Sequence, residues 1–562
     1  MRLYQPIRRA RIAAIAAAVV TMSVSAFGQS GQLRLTGAIQ AAAQTAPLQP
    51  AESRRPLSMD EAVKLALEQN LGIQIQRIDP QIQDIGVSQA RSFWAPSVSS
   101  TLSRQSQTTA STSSLSGGAN GISNATLATG VGLNQTLPWG ASYSANWNNS
   151  RYTTTNLFQS FSPQLTSNLN LAFTQPLLRN FSIDQIRQQV EVSKKVRDLS
   201  DVTLEAVITQ TGRTVKDAYW DLSYAIANLK AQQESMALSQ QSLKDNQKRV
   251  EIGTMAPIDI VAAQAEVASN ESGVIVAEAA IKRAQDQLRA LILDPKTPGF
   301  WEMVFDPTDT APFIEQTIDV DAAVRNALDR RTDLRSAKNS LEQSDVNIRY
   351  FRNQILPDVN AQVNYITTGV GGTLLSPVDL QAIALGGSPN RSVVGARGFG
   401  SVLGDVFQNA FPNWTVGVQV AYPLGSSTAQ ANLARAKLQY QQAQEQMRNL
   451  ELNVTLQVRD AGRNVQTNQK RVQASKASRE LQEKKLEAEE KKLAAGMSST
   501  FLVLQAQRDL SLARTVEIQA ISDYNKSQVD FEAVQHVSLN GNGAGLTTAG
   551  SGALQTGGII RQ

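Results

Sequence analysis

A single histidine, His536, and the absence of cysteine leave this 562-residue chain with little of the equipment that catalysis or metal binding uses. Metal sites gather several converging ligands, and His536 stands beside Gln535 at the end of a helical pattern, where it reads as a bystander. No glycine-rich loop with a lysine is present to cradle a phosphate, and there is no nucleophile motif. Gly395-Ala396-Arg397-Gly398-Phe399-Gly400 has the glycine density of a phosphate loop but no strand and helix patterns around it. Carboxylate pairs such as Glu489-Glu490 lie in a charged helical stretch and read as solvated surface. The expectation is a chain that is not an enzyme, with no catalytic residue, no cofactor and no metal.

The ends and the composition narrow the compartment. Arg8, Arg9 and Arg11 precede an apolar run from residue 12 to 20, and small residues close on Ala26-Phe27-Gly28, the pattern of a cleavable secretory signal over 1–28. No later stretch approaches the roughly 20 apolar residues that a membrane helix needs, so membrane insertion would have to use strands. The net charge of +5 includes four arginines of the signal (2, 8, 9 and 11), which leaves the mature chain at +1. A nearly neutral chain gives no electrostatic reason to expect nucleic acid. Without cysteine there is neither a disulfide framework nor a lipid anchor after the signal.

The elements repeat. Met59 to Leu67 matches Val320 to Leu328 at a shift of 261 residues, which also lays Pro96 on Pro357 and Val98 on Val359. Further on, Gln175-Pro176-Leu177 falls on Tyr422-Pro423-Leu424 at a shift of 247, and Gly253, Ala263 and Gln264 fall on Gly496, Ala506 and Gln507 at 243. Each half reads as an amphipathic helix capped by Ser58 or Asp319, a β region, a very long helix, a glycine-marked turn and a second long helix. Ile208, Val215, Leu222, Leu229, Met236, Leu243 and Val250 form a seven-residue ladder. Its last six rungs map to Val458, Val465, Val472, Arg479, Leu486 and Leu493. The partner ladder Ile260, Val267, Val274, Ile281, Leu288 maps to Val503, Leu510, Glu517, Tyr524, Phe531. Such ladders on successive helices predict antiparallel coiled-coil hairpins, the first long helix running from 181 to 252. A second stripe, Tyr219, Ile226, Gln233, Gln240, Gln247, turns polar towards the turn, as suits helices ringed around water.

Alternation marks the strands. Leu165, Leu169, Leu171 and Phe173 alternate with polar residues, as do Trp414, Val416, Val418, Val420 and Tyr422; weaker patterns run over 98–102, 127–137, 141–147 and 359–365. This dyad pattern, with no charge on the apolar face, fits membrane barrel strands, and Trp94, Trp139, Trp147 and Trp414 are candidate interfacial aromatics. Six strands, or four if the 127–151 hairpin lies outside the wall, cannot enclose a water-filled pore alone, so several chains must pool them. The predicted segments are a flexible stretch over 29–56, a first repeat over 57–300, a linker over 301–317, a second repeat over 318–538 and a flexible Gly-rich tail over 539–562. Polar stretches 105–124 and 369–409 read as loops.

The segment Leu57-Ser58-Met59-Asp60-Glu61-Ala62-Val63-Lys64-Leu65-Ala66-Leu67-Glu68-Gln69-Asn70, the prolines Pro96 and Pro357 at strand starts, Gln175-Pro176-Leu177-Leu178 and Arg249-Val250-Glu251-Ile252-Gly253 together resemble the TolC-like outer-membrane efflux family over residues 57–537. The resemblance implies a mixed membrane protein: a homotrimer with one outer-membrane β-barrel in contact with lipid, of twelve or eighteen strands, continued by an α-helical coiled-coil tunnel in the periplasm. It implies a passive exit duct for tripartite efflux or type I secretion, opened at its helical tip by a periplasmic adaptor that works with an inner-membrane transporter. Ile252-Gly253-Thr254, Gly496 and Met497 correspond to the docking tip, and Asp259 resembles the family's gate aspartate. The second half departs from the family pattern. Ser498 stands where some members carry arginine, Leu493 takes the tyrosine position, and Leu502 and Gln505 take the entrance aspartates. An ionic gate cannot be carried over, and if the entrance closes, it must close by apolar packing or by other polar contacts. Asp259, two residues after Pro257, is also a carboxylate that a helix dipole alone would favour, and Lys248, Arg249, Lys491 and Lys492 suit helix C-termini on the same ground. Two other readings are a periplasmic adaptor, which predicts one hairpin rather than two, and an envelope-spanning structural coiled coil, which would need no amphipathic strands. Cargo is not encoded legibly.

Overall fold

The computed structural model describes residues 54–110, 121–309, 313, 315, 317–381, 391–425 and 427–535. The expected signal, residues 29–53 of the expected N-terminal stretch, the expected C-terminal tail and His536 lie outside these residues. The duplication is complete in the helices. In the first half α1 (Met59–Gln69) and α2 (Leu71–Ser92) precede the strands, and α3 (Gln185–Glu251) and α4 (Pro257–Ile292) follow them. In the second half the corresponding helices are α5 (Val320–Arg330), α6 (Thr332–Gln354), α8 (Thr428–Ala494) and α9 (Thr500–Gln535), with α7 (Phe399–Phe407) between strands. α3 and α8 each have 67 residues, and α4 and α9 each have 36. At 1.5 Å per residue the longer rods reach about 100 Å.

The expected first helix of each half is broken in two. Asn70 and Arg331 adopt extended backbone between the pieces, and Asn70 caps α2 by accepting from the Ile73 N–H. Ser58 and Asp319 cap α1 and α5 as expected, accepting from Glu61 and from Asp321 and Ala322. α3 begins four residues later than the sequence pattern predicts, because Asp184 accepts from the Arg187 N–H and fixes the start.

Six long strands, β2 (Ser97–Thr109), β3 (Ile122–Thr136), β4 (Ser142–Thr154), β5 (Phe161–Pro176), β7 (Asp358–Leu375) and β9 (Pro412–Ala421), form one antiparallel sheet with the short β8 (Val393–Arg397). The order is β2-β3-β4-β5-β7, with β8 and β9 sharing the far edge of β7. The 127–151 hairpin therefore lies within the sheet. Residues 105–109 and 122–124, expected as loop, belong to β2 and β3; apart from Ile122 both faces there are polar, so periodicity gives no signal while backbone pairing still holds. Two further strands, β1 (Arg54–Leu57) and β6 (Val304–Pro307), pair in parallel in stretches expected to be a tail and a linker. Leu57 and Phe305 are buried with Val215, Tyr219, Leu222, Leu288 and Ile292 in the largest core, and the Tyr219 hydroxyl donates to Leu57 O at 3.2 Å.

Candidate channel tip and membrane wall

Both hairpins turn in the same way. Gly253 and Gly496 each adopt φ 75°, which a side chain resists. The Gly253 N–H donates to Val250 O and the Thr254 N–H to Arg249 O; Gly496 donates to Leu493 O and Met497 to Lys492 O. These paired bonds satisfy the last carbonyls of each long helix, the Schellman arrangement that a C-terminal glycine permits. Pro257 then opens α4 at a position where its missing N–H costs nothing, and Asp259 follows in the first turn, half-buried.

Around these turns the surface is apolar. Ile252, Ile258 and Val261 of the first tip and Met497, Phe501 and Leu502 of the second are all exposed, Ile252 and Met497 by about three quarters (73% and 74%). Leu493 is placed differently from Leu502: it packs inside the second hairpin against the cluster Leu486, Val503, Ala506, Leu510. Gln505 is exposed and donates to Asp509 at 2.9 Å, where Lys485 also binds at 2.8 Å. Ser498 donates to Glu489 at 2.7 Å and Thr500 to the Met255 sulfur at 3.9 Å, the latter joining the two tips.

The seam above the tips holds a pair that the ladders left unexplained. Arg479 and Glu517, the charged rungs, meet each other at 2.5 Å, with Arg479 also on Glu483 at 3.1 Å. The signal was present in the sequence, since both exceptions fall on facing rungs. Gln233, Gln240 and Gln247 are exposed, so the polar stripe lies on the surface, and near the first tip Ser239 and Asn246 take the buried positions instead. The two hairpins join through Ser235 and Ser511 at 2.9 Å and through Arg508 and buried Glu266 at 2.6 Å.

Closer to the sheet, α3 and α9 are tied by Arg213 to Asp530 at 2.6 Å, Lys216 to Glu532 at 3.5 Å and Lys526 to Asp221. Asp217 lies among these charges. Burial, and the nearby Asp530 carboxylate, push its carboxyl up to about 6, against the opposing pull of Arg213 and Lys526.

The sheet has one apolar and one polar face. Cross-strand register places Val98, Leu102, Leu127, Val131, Leu133, Trp147, Leu169, Leu171, Phe173, Val363, Trp414, Val416 and Val418 together on one side. Asn146, Asn148, Asn168, Asn170, Asn364, Gln362 and Gln419 share the other. The apolar face does carry charge, contrary to expectation: Arg104 and Arg151 both stand on it, each opposite Leu127. Trp94 follows α2 and Trp139 lies in the β3–β4 turn, both at the end of the sheet nearest the long helices. Trp147 is at mid-strand, donating to Ser167 Oγ at 2.9 Å, and Trp414 pairs with Tyr365. Within 369–409, expected as loop, Gly395-Ala396-Arg397 belongs to β8 and Phe399-Gly400 opens α7. A strand and a helix do flank these glycines, but the strand is antiparallel and edges the sheet. The helical spacing of Phe399, Val402, Leu403, Val406 and Phe407 is the signal that could have found α7.

Among the described residues no group of three His, Cys, Asp or Glu side chains could hold a metal, and no helix is long and apolar enough to cross a membrane. The sequence profile of outer membrane efflux proteins matches residues 139–292 and 323–534. That is more than half of the chain, and it follows the duplication. The chain belongs to the outer membrane efflux protein family. No curated protein matches its sequence. Solved structures share the fold of this efflux protein: the outer-membrane channel OprN at 16% identity (TM-score 0.59, covering 85% of this chain and 89% of that one) and VceC of Vibrio cholerae at 14% (0.57, 85% and 95%). The open state of the Neisseria gonorrhoeae channel MtrE is similar at 18% (0.54, 85% and 88%). The efflux protein is a TolC-like outer-membrane protein.

Proposed function

We propose that this efflux protein is a passive exit duct, a homotrimer whose three sheets close into one outer-membrane barrel and whose hairpins form a periplasmic tunnel. One observation carries this reading. A sheet with one apolar and one polar face, open at β2 on one edge and β9 on the other, continues directly into two matched hairpins of 67 and 36 residues. Open strand edges demand partners, and pairing β2 of one copy with β9 of the next satisfies both. With six long strands per chain the barrel has eighteen. At a strand spacing of about 4.8 Å and a tilt of about 40°, its backbone diameter is roughly 36 Å, against roughly 24 Å for twelve strands.

The apolar tips around Gly253 and Gly496 support docking of a periplasmic adaptor that links the duct to an inner-membrane transporter. Leu502, Phe501 and Met497 supply the apolar closure at rest, with Gln505 and Asp259 beside it. Leu493 contributes by holding the second hairpin together. Solutes leave through the polar face of the wall, and no covalent step is involved. Electrophoresis of detergent-solubilised protein tests the assembly: a band of three chains that dissociates and changes migration only on heating is expected, whereas a monomer that stays in the soluble periplasm would overturn it.

A further inference from the structure

The two guanidiniums on the apolar face have no ion-pair partner among the described residues. Arg104 and Arg151 are exposed, and their cross-strand neighbours are Leu127 for both and Leu165 for Arg151. The other cations of this end of the sheet are occupied. Arg397 binds Asp405 at 2.8 Å, and Arg391 donates to the carbonyls of Ser376, Leu157 and Gln159. Unpaired arginines on a lipid-facing wall are costly inside hydrocarbon, so their depth decides their meaning.

Register fixes that depth. The row of Arg104, Leu127, Arg151, Leu165 continues to Gly371 of β7, and Val359, at the opposite end of the apolar face, lies twelve residues back along that strand. Twelve residues at about 3.3 Å, tilted by about 40°, cover roughly 30 Å, the thickness of a bilayer's hydrocarbon core. The arginines thus stand where the apolar band ends, on the side away from the helical tunnel.

Beside them the wall is modified to hold α7. A Cβ at Gly369 would lie 2.1 Å from Val402 O, and one at Gly371 2.6 Å from Val402 Cγ2, so both glycines are needed for the helix to lie on the apolar face. Thr367 donates to Val406 O at 3.2 Å, and Phe407 stacks edge-on against Trp147 at 6.4 Å. Phe399, Phe407 and the nearby Phe411 remain exposed. A short helix laid against the outer wall, with Phe407 edge-on to Trp147 and its phenylalanines still exposed, makes an apolar shelf just below a cationic row.

We propose that Arg104 and Arg151 bind the phosphorylated headgroup of a glycolipid in the outer leaflet, while its acyl chains lie on the shelf of Phe399, Phe407 and Phe411. The inference rests on the barrel reading above. Guanidinium forks match phosphate oxygens in charge and geometry, the apolar shelf continues the lipid-facing wall, and no protein carboxylate competes.

Nanodiscs of phosphatidylcholine carrying the full chain are titrated with diphosphorylated lipid A, and occupancy is read by native mass spectrometry. Wild type is expected to bind it, with affinity falling about thirtyfold in R104Q/R151Q and staying close to wild type in R104K/R151K. Dephosphorylated lipid A is expected to bind wild type as weakly as the intact lipid binds the glutamine variant. Equal affinity of wild type for the two lipids would overturn the proposal even if the glutamine variant failed to fold. Failure of wild type to enter the discs would instead overturn the barrel.

Discussion

The two hairpins have the same lengths and the same turn, yet their seams are built from different chemistry. Towards its tip the first hairpin buries Ser239 and Asn246, and the Asn246 amide nitrogen has no hydrogen-bond partner among the described residues. At the corresponding level the second buries Leu486, Val503 and Leu510. Where the second places Arg479 against Glu517, the first has Met236 and Val274, half-buried and uncharged. Duplication thus preserved helix length and turn geometry, which the proposed ring would require, and left the seam free to diverge. The hairpins are tied to each other where α9 binds α3 through Ser511 and α4 through Arg508, and these bonds hold both alike.

The largest expected effect comes from breaking the ionic rung. Glu517 is only 16% exposed and Arg479 26%, so Glu517→Val removes the most buried of the arginine's carboxylate partners, leaves it the half-exposed Glu480 and Glu483, and should cost about 2–3 kcal/mol in thermal dissociation. Arg479→Met with Glu517→Val gives the second hairpin the chemistry of the first and should recover most of that loss. A double variant as unstable as the single one would contradict an equivalence of the two seams. Next, Leu510→Ala should cost about 2 kcal/mol, and Val267→Ala, on the matching but half-buried rung, about 1 kcal/mol. Equal losses would remove the distinction.

Asp217 and its counterpart Asp460 sharpen the comparison through pH. Asp460 is exposed and paired with Arg463, whereas burial lifts the Asp217 carboxyl from its ordinary 3.8 to about 6. The folded protein therefore holds this proton more tightly than the unfolded chain does. Stability should rise as pH falls through about 6 and level off below about 4, while above 6 the native state carries the cost of the buried charge. Asp217→Asn should remove that dependence and stabilise the protein at pH 7.5 by on the order of 1 kcal/mol, reduced by solvent screening. Asp460→Asn should do neither, and unfolding midpoints at pH 5 and 7.5 decide. The smallest contrast is at the turns. Gly253→Ala and Gly496→Ala meet open space but a positive φ, so each should cost about 1 kcal/mol, and equally, seen as faster proteolytic nicking.

Much of this was readable in the sequence for a physical reason. Seven-residue ladders and dyad strands are periodic signals, so the long helices, the six strands and the glycine turns could all be placed. Signals that are not periodic were missed. The break at Asn70 needs only one residue in extended backbone, and β1 and β6 are four-residue strands whose pairing depends on residues some 250 positions apart. Helix α7 hides among glycines such as Gly398, Gly400 and Gly404, which mask its short apolar spacing. At the tip, Leu493 and Leu502 look alike in sequence, and only the turn of the helix separates a seam residue from an exposed one.

The central claim, a membrane pore closed at an apolar helical tip, is tested most directly by single-channel conductance in a planar bilayer. Wild type should be measured beside Leu502→Asp, which leaves the seam around Leu493 intact. Rare, small openings in wild type that become frequent and larger in the variant are predicted; the absence of channels from both would contradict the account.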